Sequence, residues 1–267
     1  LKKLLSLNKN LSLLASLIFF TSCDFTSGLH KSILKAQDYI KEQEYAKAAE
    51  EYEDILRAKS SVNLKIKIHY QVGEIYSIYL NKNDSALKNY EQVIELTDNP
   101  IWQVKSLEKI ASINFEYTKN YKKALSAYKT LKDFTPTLEK QDLYSFRHAQ
   151  TYKNLSQYDD AIDAFMEIKK DIQHQYYVDS FHEIGLCYFY KKDWKKAIKY
   201  WKDFLVRSKE REKIISTKFL MANAYETNEE LKKAYNIYYS ILNDYPNPSV
   251  IKNRLESLYA RRVARKR

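Results

Sequence analysis

Apolar and polar positions alternate along this chain with a helical period, and the pattern itself recurs. Alanines at 48, 86, 124, 161, 197 and 234 are spaced 38, 38, 37, 36 and 37 residues apart. Each is followed four residues on by a ring (Tyr52, Tyr90, Tyr128, Phe165, Trp201, Tyr238) and three further on by an apolar side chain (Ile55, Val93, Leu131, Ile168, Phe204, Ile241). A small residue precedes each alanine by 12 positions, or 13 in the second copy: Ala36, Gly73, Ser112, Ala149, Gly185 and Ala222. Three residues after it stands another ring, Tyr39, Tyr76, Phe115, Tyr152, Tyr188 and Tyr225. Both stripes have i, i+3, i+4, i+7 character, so each copy predicts two helices joined by a short polar turn such as Thr118-Lys119-Asn120 or Lys191-Lys192-Asp193.

A repeat of this length cannot bury its own apolar face, so successive hairpins must stack and a last helix must cover the final one. Ile251, Leu255, Leu258 and Tyr259, following Pro248, supply that covering stripe. The small residue and the alanine fall where two backbones approach closely, because an added methylene there overpacks the contact by about 1–3 kcal/mol.

The pattern small-x2-aromatic, then Tyr45, Tyr121, Tyr158, Trp194 or Leu231 three before the alanine, then A-x3-aromatic, resembles the tetratricopeptide repeat. Pro136 and Pro246 stand at that family's inter-repeat turn. The resemblance covers residues 30–247. It implies an all-α solenoid of about six helix hairpins in one elongated domain, with a capping helix and basic tail over 248–267. The inserted residue of the second copy, which has Asn83 at the first hairpin position, is expected to lengthen a loop.

Composition narrows the function. The net charge is +11, but residues 1–22 hold +3 of it and residues 251–267 hold +6, leaving +2 for the body. No basic stripe for a phosphate backbone results, so nucleic acid is not the expected partner. The Arg/Lys-rich end reads first as a solvated terminus and second as a contact for an acidic surface. With three glycines in the chain, two of them at helix crossings, no phosphate-cradling loop can be built.

Residues 1–22 carry Lys2, Lys3 and Lys9, then an apolar run from Leu11 to Phe20, then Thr21-Ser22, too short an apolar stretch to span a bilayer and of the form of a secretory signal. With Cys23 immediately after, the segment resembles a bacterial lipoprotein signal, although Phe20 stands where that motif prefers an aliphatic residue. The resemblance implies lipidation at Cys23, a short tether over 23–29, and attachment to a cell-envelope membrane facing the periplasm. The outer membrane is expected ahead of the inner one, while Asp24 resembles an inner-membrane retention signal in some lineages. Cys187, within a helical stripe, reads as a small buried hydrophobe.

None of the five histidines shows H-x3-H or H-E-x2-H spacing and no G-x-S-x-G occurs, so no metal site, catalytic residue, cofactor or small-molecule substrate is expected. Binding remains. In the tetratricopeptide family the first helix of each repeat lines a concave wall, through the residues one after and three before the small position. Carried over, this gives Glu74 and Tyr70, Ile113 and Lys109, Gln150 and Phe146, Leu186 and His182, and Asn223 and Phe219, with Tyr117, Lys153, Phe189 and Tyr190 a turn further on. A partly aromatic groove of this kind suits a protein partner, as an extended peptide or a helix.

The resemblance therefore implies a non-catalytic scaffold lipoprotein. In plan it resembles the repeat lipoproteins of outer-membrane β-barrel assembly. The alternative is a cell-wall or division-coordinating periplasmic adaptor with a glycan- or peptidoglycan-linked partner, in which Tyr70, Phe146, Phe189 and Tyr190 would stack on sugars.

Overall fold

The computed structural model describes residues 27–264. Every element among them is helical. Six antiparallel hairpins follow in order: α1 Ser27–Lys41 with α2 Tyr45–Arg57, α3 Val62–Glu74 with α4 Asn83–Leu96, α5 Pro100–Glu116 with α6 Tyr121–Lys132, α7 Gln141–Asn154 with α8 Tyr158–Lys170, α9 Tyr177–Tyr190 with α10 Trp194–Arg207, and α11 Arg211–Thr227 with α12 Leu231–Ser240. A single helix, α13 Pro248–Ala264, ends the array. The chain divides into two compact units, Leu1–Ser106 and Leu107–Arg267, with the division inside α5. The signal-like segment and Cys23 lie outside the described residues.

The recurring positions are the core. All six alanines are fully buried, and the rings four residues on and the apolar residues seven on are at most 5% exposed. In the first unit this core gathers Ala36, Ala48, Tyr52, Ile55, Ile68 and Val72. In the second unit it runs through Ala149, Ala161 and Phe165, and through Trp201, Ala222, Ala234, Tyr238 and Ile251. Each such ring withdraws roughly 150–250 Å² from water.

The six hairpin turns share one backbone device. Each contains a single left-handed residue, Gln43, Asn81, Lys119, Ser156, Lys192 or Glu229, with φ between 52° and 63°. In the fifth turn Lys192 N–H donates to Phe189 O at 2.9 Å and Asp193 N–H to Tyr188 O at 2.9 Å, the paired bonds that close a helix end. The same pair recurs at Gln43 with Glu44, Ser156 with Gln157, and Glu229 with Glu230. The polar turns seen in the sequence are thus helix stops made without glycine.

The insertion of the second repeat does not lengthen its loop. It is taken up inside the helix as a π turn, Ile75–Tyr79, in which Leu80 N–H donates to Ile75 O at 3.1 Å. An i to i+5 bond accommodates one extra residue without breaking the ladder.

The covering helix buries Ile251, Leu255 and Leu258, as the stripe predicted. Tyr259 does not join them and is 62% exposed. One step beyond Leu258 turns the side chain by about 100°, off the i, i+4, i+7 face.

Candidate functional site

The residues assigned to a groove fall into three sets once their partners are known. The first set stands three before the small residue and packs between its own hairpin and the segment that follows. Tyr70 meets Tyr90 edge-on at 5.5 Å and Trp102 at 5.3 Å. Phe146 meets Phe165 at 5.6 Å and stacks on Tyr176 at 4.3 Å. Phe219 meets Tyr238 at 5.7 Å and stacks on Tyr245 at 4.7 Å. In alternate repeats, therefore, a ring at this position is clamped between the second-helix ring of its own hairpin and a ring from the segment that follows. Phe146 is only 8% exposed, so it belongs to the core and not to an open wall. His182, at the same position of the fifth repeat, pairs its Nδ1 with Thr217 Oγ1 at 2.9 Å and leans on Phe204 at 5.2 Å.

A second set satisfies buried polar groups. Tyr90 OH donates to Glu74 at 2.6 Å, and Tyr238 OH donates to Asn223. Where the second-helix ring lacks a hydroxyl, as at Phe165, the equivalent side chain is released to the next repeat: Gln150 donates to Glu183 Oε1 at 3.0 Å. Lys153 donates to the other oxygen of Glu183, and the lysine and glutamate side chains are only 16% and 10% exposed. Lys109 is half-buried, and its carbonyl accepts from Ser112 Oγ at 3.1 Å.

The bonds of Gln150 and Lys153 to Glu183 are part of a ladder of inter-repeat bonds through the second unit. Glu108 on α5 accepts from Lys140 at 2.9 Å and from Tyr144, and Arg147 reaches Glu116 at 3.4 Å. Glu183 on α9 takes Gln150 and Lys153 of α7, and Asp179 takes Lys213 of α11 at 2.6 Å. Glu226 on α11 takes Arg261 of α13 at 2.9 Å. Sequence reasoning missed Glu183, Arg147, Asp179 and Glu226, although an acidic residue within the aromatic stripe of α9 is itself a signal that a cation faces it.

The third set offers surface. Tyr117 is 62% and Tyr190 52% exposed. Tyr190 stacks on Tyr158 of the preceding hairpin at 5.5 Å, and Phe189 behind it packs on Trp194 at 5.1 Å and Trp201 at 5.6 Å. Of the rings assigned to the second unit's wall, Tyr117 and Tyr190 present the most area to a partner.

No group of three metal-binding side chains occurs among the described residues, and no described helix is long and apolar enough to cross a membrane. Burial pushes the Cys187 thiol up to about 12, so it is a packing group.

Comparison with known proteins agrees with this architecture. A tetratricopeptide-repeat family model matches residues 66–100, and a domain of unknown function, DUF6340, matches residues 184–264. No curated protein matches the sequence. Among solved structures, the chain is similar to a signal transduction ATPase with numerous domains carrying a tetratricopeptide-repeat sensor, from Pyrococcus horikoshii, at 17% identity and TM-score 0.59, covering 86% of this chain and 38% of that one. It is also similar to PilW, a widely conserved type IV pilus biogenesis factor, at 15% identity and TM-score 0.53, covering 88% of this chain and all of that one. PilF of Pseudomonas aeruginosa aligns over 87% of this chain and 97% of its own, at 11% identity and TM-score 0.50. The class is thereby defined: the chain has the all-α fold of tetratricopeptide-repeat proteins, and its second repeat matches that family's model. The DUF6340 match begins inside α9 and runs through the sixth hairpin and the covering helix.

Proposed function

We propose that this protein is a non-catalytic, lipid-anchored scaffold of a bacterial cell envelope that holds a protein partner on the first-helix face of its second unit. The observation that carries the reading is the division of labour on that face. Gln150, Lys153, His182 and Asn223 are bonded to other repeats or to their own hairpin, which fixes the frame. Tyr117 and Tyr190 stay exposed. Rigid aromatic anchors on a preorganised frame are what a peptide or helix uses for affinity, since little ordering entropy remains to be lost. The anchor rests on the sequence at Cys23, with outer-membrane protein assembly as the context.

Chemical cross-linking with co-purification from membranes of the wild type, beside a Tyr117→Ala, Tyr190→Ala variant, tests the face. One defined partner should be captured by the wild type and reduced at least tenfold in the variant; equal capture removes the assignment. Mass spectrometry of the mature amino terminus tests the anchor independently, and an unmodified chain beginning elsewhere than Cys23 would count against it.

A further inference from the structure

The fourth and fifth hairpins share one register: α7 and α9 start at Gln141 and Tyr177, and α8 and α10 at Tyr158 and Trp194, so equivalent side chains lie 36 residues apart. At one place their chemistry diverges. Four rings of the fifth hairpin, Tyr177, Phe181, Tyr200 and Phe204, correspond to Gln141, Ser145, Ala164 and Ile168 of the fourth, and buried Ile184 corresponds to His148. In the fifth hairpin the place is filled. Phe181 is 4% exposed, edge-on to Tyr177 at 5.3 Å, with the Lys169 ammonium 5.3 Å and the Arg207 guanidinium 4.6 Å from its ring.

In the fourth hairpin the rings are gone and a cavity of about 350 Å³ stands there, lined by Ser145, His148, Ala164 and Ile168 among others. Lys132, on its wall, is the counterpart of Lys169 one repeat earlier, so the cation is kept where the ring is missing. Glu167 on the rim is highly exposed, which leaves a way in.

The wall is not merely apolar. His174 Nδ1 accepts the Tyr176 N–H at 3.1 Å, which puts its proton on Nε2 and makes it a donor to Ser145 Oγ at 3.0 Å. Ser145 in turn donates to Asp142 O at 3.0 Å. These two side chains are satisfied. His148 Nε2 and Gln141 Oε1 are not: both are buried with no hydrogen-bond partner, although His148 is only 7% exposed. Burial, reinforced by Lys132, holds the His148 imidazole down to about 4, so it is neutral at physiological pH and able to accept or donate according to tautomer. A void of this size with a cation on its wall and two orphaned polar atoms lacks both a ring and a hydrogen-bonding group.

We infer that this cavity is a binding site for a planar aromatic group bearing a hydroxyl at its edge, the chemistry of a phenol. The ring takes the place that Phe181 fills one repeat later, beneath Lys132, and the hydroxyl bonds to the free atoms of His148 and Gln141. On the partner-binding reading, the ring is a tyrosine side chain of the bound protein; the cavity's affinity for a phenol does not depend on that reading.

The test is titration of the full chain with p-cresol, followed by the NMR signals of the His148 ring. Saturable shifts are expected, with toluene bound at least about fivefold more weakly because it leaves both polar atoms unpaired. Ser145→Phe with His148→Ile rebuilds the fifth repeat's filling and should abolish binding, followed there by amide signals of α7, while retaining the melting transition. Ala164→Tyr, which borrows Tyr200, should act likewise. Absence of saturable p-cresol binding to the wild type overturns the inference, as does equal binding of toluene or undiminished binding by folded filled variants. Neither Tyr117 nor Tyr190 lines the cavity, so the cross-linking experiment stands or falls separately.

Discussion

A Cβ placed on Gly185 would lie 2.4 Å from Trp201 Nε1 and 2.5 Å from its Cδ1. Trp201 is fully buried and its Nε1 donates to His182 O at 3.2 Å, so the ring has nowhere to retreat. Gly185→Ala should therefore cost about 2–3 kcal/mol through overpacking, and combining it with Trp201→Phe should recover part of the loss. Urea unfolding of the three variants measures this. A single substitution within 0.5 kcal/mol of wild type would show that the contact yields.

The Lys153–Glu183 pair makes a stronger claim about the inter-repeat ladder. With side chains 16% and 10% exposed, removal of one partner strands a charge. Lys153→Met is expected to destabilise by about 3 kcal/mol, whereas Lys153→Met with Glu183→Leu should fall close to wild type. If the single and double variants are equally unstable, the cost lies in packing and not in the uncompensated carboxylate.

Two fully buried tyrosines of the first unit differ in what meets the hydroxyl. Tyr90 donates to Glu74, while the Tyr52 hydroxyl has no partner; burial pushes both phenols well above their ordinary range. Tyr52→Phe should be neutral or slightly stabilising, and Tyr90→Phe should lose about 1–1.5 kcal/mol. Thermal melts read the order directly, and the reverse order would contradict the hydrogen-bond accounting.

His148 makes stability depend on pH. Its folded pKa of about 4 lies below its ordinary 6.5, chiefly through burial, with Lys132 and Lys129 adding to the effect and Asp133 opposing it. The unfolded chain binds the proton more readily, so the contribution is complete above about pH 6.5 and is lost as pH falls toward 4, at no more than about 1.4 kcal/mol per pH unit. Burial lowers His174 and His182 in the same direction. His148→Ile should flatten, without abolishing, the fall in urea midpoint between pH 6.5 and 4. Parallel slopes for variant and wild type would mean that His148 does not titrate there.

The sequence by itself determined the repeat, its two helices, the close crossings and the core, because burial of a helical stripe imposes a period on residue size and polarity that survives in one dimension. Gly73, Gly185 and the six alanines were legible for that reason. What only the tertiary structure decided was which side chains already had partners. Glu74 and Asn223 differ from free groove residues only in the hydroxyl that a second helix brings to them, and Phe146 only in Tyr176 closing over it. The π turn at Ile75–Tyr79 likewise shows that an inserted residue can be absorbed by hydrogen-bond register instead of a loop. The partner assignments depend on contacts across 15 to 30 residues, whose distances no local pattern contains; the cavity in the fourth hairpin became visible only when its register with the fifth could be laid over real packing.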